Sequence, residues 1–195
     1  MKQIFKTGAF VITVALIFVG IFQISGCGAI KGHIALNMGK MAYDQKDYVT
    51  AVKKYQEGAA KGNIVAQYRL ACMYSAGEGV SSNQAIAEKW MRSSAGQGYP
   101  AAQFVLGLWY LAGIGVDRDE VKAVKWLRKA ADQKEKFAQY HLGLVYATGR
   151  GVLKNPDEAL KWFRLASANG CPVPKNLLIK EGISSKFGEA TVAKP

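Results

Sequence analysis

The side chains of this 195-residue chain best suited to nucleophilic or metal chemistry are three cysteines, Cys27, Cys72 and Cys171, and two histidines, His33 and His141. Metal sites draw their Cys and His ligands from short, characteristic spacings, and no Cys or His pair here has one. The sequence holds no Gly-x-Ser-x-Gly elbow, no phosphate-binding Walker loop and no His-Glu-x-x-His helix. Carboxylates could pair across a fold, but the sequence places no two together for acid–base work. With no nucleophile–base constellation, the expectation is a protein that is not an enzyme and takes no metal and no cofactor. Aromatic, apolar and basic residues that recur at fixed spacing point instead to binding.

Composition agrees with an ordinary folded domain. Half of the residues are hydrophobic and only 21% are charged, so a core can form and the chain does not read as disordered. The formal charge of +12 favours encounter with an acidic partner, nucleic acid or an anionic membrane surface.

The first 26 residues read as a targeting segment. Lys2 and Lys6 precede fifteen uncharged residues, Gly8 to Phe22, of which only Thr13 is polar. A charged n-region followed by such an apolar run is the pattern of a secretory signal. Ile24-Ser25-Gly26-Cys27 then resembles the bacterial lipobox, which implies cleavage after Gly26 and acylation of Cys27. The competing reading is an uncleaved signal anchor, with Gly8–Ile30 crossing the bilayer. Cleavage removes Lys2 and Lys6 and no acidic residue, so the basic excess belongs to the mature chain. Gly28 is not the Asp that favours inner-membrane retention in enteric bacteria. The expected location is therefore the bacterial cell envelope, lipid-anchored in the outer membrane and facing the periplasm.

The remainder repeats with a period of 36. AQYRLACMYSAGEGV at 66–80 returns as AQFVLGLWYLAGIGV at 102–116 and as AQYHLGLVYATGRGV at 138–152. Ala87-x-x-Trp90, Ala123-x-x-Trp126 and Ala159-x-x-Trp162 keep the same offset, as do the glycine pairs 77/79, 113/115 and 149/151. Ala66, Leu70 and Tyr74 lie on one face of a first helix. The glycines end it, and Asn83, Asp119 and Asn155 cap a second helix, with Pro156 at N1 and Glu158 at N3 of the third copy. Neither helix can bury its face alone, so the hairpins must stack.

These phased positions resemble the Sel-one-like repeat, a 36-residue cousin of the tetratricopeptide repeat. The resemblance covers residues 63–170 and implies an all-α fold, an α/α superhelix of helical hairpins. The chain departs from the pattern at Ala71, Lys134 and Ser167. The expected organisation is a signal peptide (1–26), a lipidated segment with a degenerate capping hairpin (27–62), repeats at 63–98, 99–134 and 135–170, and a C-terminal cap and tail (171–195). In the leading hairpin Tyr43, Tyr48, Ala51 and Tyr55 carry the packing pattern, and Leu178 is the one in-phase residue of a short C-terminal capping helix. Cys72 and Cys171 lie more than two units apart, too far for a disulfide. Both should be free, with Cys171 exposed. This sets the chain apart from the family's cysteine-rich members, which staple each hairpin, and weakens any analogy with their penicillin binding.

Two stripes are candidates for binding. Tyr68, Arg69 and Cys72 on the first helix, with their counterparts Phe104, Val105 and Leu108, then Tyr140, His141 and Leu144, fall where the related tetratricopeptide fold has its concave surface. Phe137 lies one turn earlier. If open, this is an apolar and aromatic groove suited to a peptide or helix; the alternative is burial between repeats. Trp109 stands where the other copies have Met73 and Val145 and should pack. On the second helix Lys53, Lys89, Lys125 and Lys161 share one position and Arg92, Arg128 and Arg164 another, forming a basic ladder for lipid head groups or an acidic partner, or simply a solvated face. Nucleic acid is excluded by export and by the lack of a groove-reading motif.

The function read from the sequence is a membrane-anchored interaction module binding another protein. Its role is that of an adaptor in an envelope or secretion assembly, or of an immunity protein against a secreted toxin directed to the periplasm. A membrane-surface structural protein is the alternative, and a peptidoglycan or β-lactam hydrolase the more remote one.

Overall fold

In a computed structural model of the protein, residues 28–174 and residue 176 are described. Cys27 with the targeting segment, Leu178 with the expected capping helix, and the tail lie outside them. Every element among the described residues is a helix: α1 over 28–44, α2 (Tyr48–Ala60), α3 (Ile64–Ala76), α4 (Gln84–Gly96), α5 (Pro100–Ala112), α6 (Glu120–Asp132), α7 (Lys136–Thr148) and α8 (Pro156–Ala168). From α2 onward each helix packs on the ones before and after it in sequence, which is the neighbour-only contact pattern of a solenoid.

The repeated polar residues set the helix boundaries. Asn83, Asp119 and Asn155 each accept a backbone N–H of the following turn, from Ile86, Lys122, and both Asp157 and Glu158 respectively. Gly77, Gly113 and Gly149 take the left-handed conformation that ends α3, α5 and α7, with φ of 75°, 73° and 77°. The second glycine of each pair has a further duty. A Cβ on Gly151 (φ 69°) would lie 2.4 Å from the Glu120 backbone oxygen, so only glycine lets this loop rest on the start of α6.

Within each hairpin the crossing is held close by small residues. Gly107 and Gly143 lie against Leu127 and Phe163, and a Cβ at Gly143 would come 2.4 Å from the Phe163 ring. In the first copy Ala71 packs in one cluster with the unbranched Met91, which leaves room for its methyl group. Met91, Leu127 and Phe163 are fully buried, whereas of the three phased tryptophans Trp90 and Trp126 are only half-buried and Trp162 is buried. The main core side chain of the second helix is therefore the residue after the tryptophan.

Between hairpins a repeated glutamine forms the polar joint. The side chains of Gln67, Gln103 and Gln139 are buried, and each donates from Nε2 to a carbonyl of the preceding helix, that of Ala59, Ala95 or Ala131. Each Oε1 accepts from the residue capping the next helix: Gln97 at 2.7 Å, Gln133 at 2.8 Å and Asn169 at 2.8 Å. Each buried amide thus ties the preceding unit, through its Nε2, to the end of its own hairpin, through its Oε1.

Cys171 departs from its expected exposure, being only 5% accessible. Gly170 is left-handed, its N–H bonds the Ser167 carbonyl, and the Cys171 N–H bonds that of Ala166. This is a Schellman turn, whose following residue folds back onto the helix. Cys171 and the half-buried Cys72 are both free thiols. Lys134, replacing the inter-repeat glycine, adopts φ 64° and keeps the turn.

Candidate interaction surface

The stripe residues of the first helices come together as half-open surface and are not closed off between repeats. Tyr68, Phe104, Val105, Leu108, Tyr140 and His141 are all half-buried, Arg69 is exposed, and Phe137 is 47% accessible. Aromatic contacts join them along the solenoid. Tyr68 meets Tyr99 edge-on at 5.3 Å, and Phe104 stacks on Phe137 at 6.2 Å while lying 5.4 Å from His141. Tyr140 sits between His141 and Phe163, at 5.6 and 5.8 Å. The Arg69 guanidinium rests 5.9 Å from the Tyr68 ring centre. Trp109 is buried in the core, as expected of a packing residue.

A groove of about 600 Å³ opens between α5 and α7. Leu108, Leu111, Ile114, His141 and Leu144 line it, with Arg150 at one end. Arg150 is fixed there by Glu120 (3.0 Å) and by the Leu111 carbonyl (3.3 Å). The Glu120 carboxyl is held below the usual range chiefly by Arg118 and then by Arg150. Leu111, Ile114 and Arg150 were not singled out in the sequence, because they fall at a helix end and in turns that read as punctuation.

The titratable groups of this face are quiet ones. Burial pushes the Cys72 thiol up and the His141 imidazole down. Burial, assisted by Cys72, carries the Tyr68 phenol to about 12. The surface therefore presents a neutral thiol, a neutral imidazole and a neutral phenol at physiological pH. It offers shape and apolar area for binding, and no group is poised as a nucleophile.

The basic ladder is only in part a free surface. Arg92 lies 5.4 Å from the ring of Tyr110 and pairs with Glu88, and Arg128 lies over the rings of Tyr146 and Trp162 and donates to the Tyr146 hydroxyl. Each arginine thus reaches the first helix of the following unit, where Gln56 bonds Tyr74 at the same register. These side chains join repeats. Lys89, Lys125 and Lys161 are exposed, with Lys161 paired to Glu158 at 3.4 Å, and Arg164 is exposed on the last unit. Among the described residues no cluster of His, Cys, Asp and Glu could hold a metal ion.

The Sel1 repeat matches the chain three times in succession, at residues 64–99, 100–135 and 136–171. The chain belongs to the Sel1 repeat family. Among solved structures it is similar to a Sel1 repeat protein from Oxalobacter formigenes, with 35% identity and a TM-score of 0.69 over 76% of this chain. It is also similar to a protective antigen present in uropathogenic Escherichia coli strains that displays an SLR fold, with 29% identity and a TM-score of 0.73 over 88% of this chain. The chain covers 63% of the first of these proteins and 38% of the second, so it corresponds to part of each. Comparison with curated proteins gives no match. Sel1 repeat proteins typically mediate protein–protein interactions and are generally non-catalytic modules.

Proposed function

We propose that this Sel1 repeat protein is a lipid-anchored envelope module, tethered through acylated Cys27 to the outer membrane, that binds another protein on the face formed by α3, α5 and α7. The observation that carries the reading is the half-open row from Tyr68 through Phe104 and Phe137 to the Leu108–Leu144 groove. Aromatic anchors in a concave, apolar setting are what dominate interface energies. The partner is an envelope or secretion assembly component, for which the module is an adaptor, or a periplasm-directed toxin, for which it is an immunity protein.

The test is affinity capture with residues 28–195 immobilised, using the host's envelope and secreted proteins, beside a Phe104→Ala/Phe137→Ala control. A single secreted toxin whose activity falls on binding supports immunity, and several assembly components support the adaptor role. In either case the double variant should lose the partner. Retention of anionic lipid alone would refute the protein-binding reading in favour of a membrane-surface role for Lys89, Lys125 and Lys161.

A further inference from the structure

Helix α1 has two apolar faces, and only one of them is covered. Ala35 and Ala42 are buried, as are Gly32 and Gly39, the latter against the Tyr55 ring of α2. His33, Lys40 and Asp44 form an exposed polar face. Between these faces lie Ile30, Ile34, Met38 and Met41, with 62%, 54%, 47% and 62% of their surface accessible. At ~100° per residue the four fall within an arc of about 80°, along roughly 16 Å of helix. Lys31 and Lys61 border an open apolar groove where Ile34 and Met38 meet the end of α2. The first unit of a solenoid ordinarily turns a polar face outward. This one turns out four large aliphatic side chains and keeps only Leu36 packed inward.

We infer that the Ile30–Ile34–Met38–Met41 face of α1 lies in the membrane interface and fixes how the solenoid stands on the bilayer. The inference rests on the tether proposed above, and it holds equally for the uncleaved anchor that competes with it. If Cys27 is acylated, Ile30 is three residues from the lipid, at most about 10 Å of chain. If Gly8–Ile30 instead crosses the bilayer as an uncleaved anchor, Ile30 is its last residue and Ile34, Met38 and Met41 follow at the interface. An amphipathic helix held beside a bilayer sinks its apolar face some 5–10 Å into the head-group boundary, and long cationic side chains at its edge reach the phosphates. Lys31 and Lys61 occupy that edge, beside Glu57, whose charge is paired with Lys54 at 2.9 Å. With α1 lying on the membrane, the units beyond α2 extend from it and the groove between α5 and α7 belongs to the unit pair far from the tether.

The test places a photo-crosslinking amino acid at position 34 or 38 of the full chain in its native membrane, with position 40 on the polar face and position 153 on a distant exposed loop as controls. Adducts with phospholipid at 34 and 38, absent at 40 and 153, are expected. A cross-linked dimer, an adduct with another polypeptide, an internal adduct with residues 1–27, equal lipid labelling at all four positions or no lipid adduct at all would each overturn the inference. Membrane fractionation and the mass of the N-terminal peptide report the tether separately. A membrane-bound chain without lipid adducts at 34 and 38 sinks this inference alone, and a chain found free of the membrane sinks the tether with it.

Discussion

Replacing Gly143 with alanine sets helix propensity against packing. Alanine in mid-helix is favoured over glycine by roughly 0.5–1 kcal/mol, so local preference alone says Gly143→Ala stabilises α7. The new Cβ would lie 2.4 Å from the Phe163 ring, which is itself fully buried and cannot swing away. Overpacking of this kind costs about 1–3 kcal/mol, and the expected net effect runs from neutral to a loss of about 2.5 kcal/mol once propensity is offset. The first copy shows how the conflict is relieved, since Ala71 there packs with Met91 at the register of Phe163. Phe163→Met should therefore accommodate the methyl group that Gly143→Ala introduces. A double-mutant cycle by guanidinium unfolding should give a favourable coupling of about 1–3 kcal/mol. Additivity to within about 0.5 kcal/mol, or a stabilised single variant Gly143→Ala, would refute the argument that this glycine is set by the approach of Phe163.

Three further outcomes are expected. Gln103→Ala should cost about 1–3 kcal/mol, because the Ala95 carbonyl loses its buried donor, whereas Gln133→Ala, at the exposed end of the same chain of bonds, should cost much less; urea unfolding compares them. Burial lowers the His141 pKa, so the folded state favours the neutral ring. Its contribution is complete above the unfolded value near ~6.5 and is lost as pH falls below it, so denaturation midpoints should drop between neutral and mildly acidic buffer, and His141→Gln should flatten part of that slope. Cys72 and Cys171 should react slowly with Ellman's reagent at neutral pH, since burial raises both thiols, and rapidly once the protein is unfolded.

The period of 36 made the hairpins, their caps and their glycine turns legible, because each depends on a residue type at a fixed offset. Asn83, Asp119 and Asn155 cap where local chemistry says they must. Side-chain fates decided by contacts across units were not legible. Arg92 and Arg128 read as free cations until Tyr110 and Tyr146, eighteen residues on, are placed beneath them. Gln67, Gln103 and Gln139 recur as faithfully as the glycines, and that regularity was the signal available. A polar residue on a core face has meaning only once its acceptor, eight residues back, is known. Cys171 is carried inward by a turn, which helix periodicity does not register. The candidate surface was half visible: its aromatic row follows from periodicity, but periodicity cannot separate a groove from a core.

The glutamine joints have a bearing on how such a chain grows. Each amide binds eight residues back into one unit and is bound from thirty residues ahead by its own. Any tandem duplication of 36 residues, wherever its endpoints fall, therefore delivers a complete set of these bonds at the new junction. For these joints, length can change by whole units with no compensating substitution, and Asn169, which stands where Gln97 and Gln133 stand in earlier copies, shows that the shorter amide still closes the last joint.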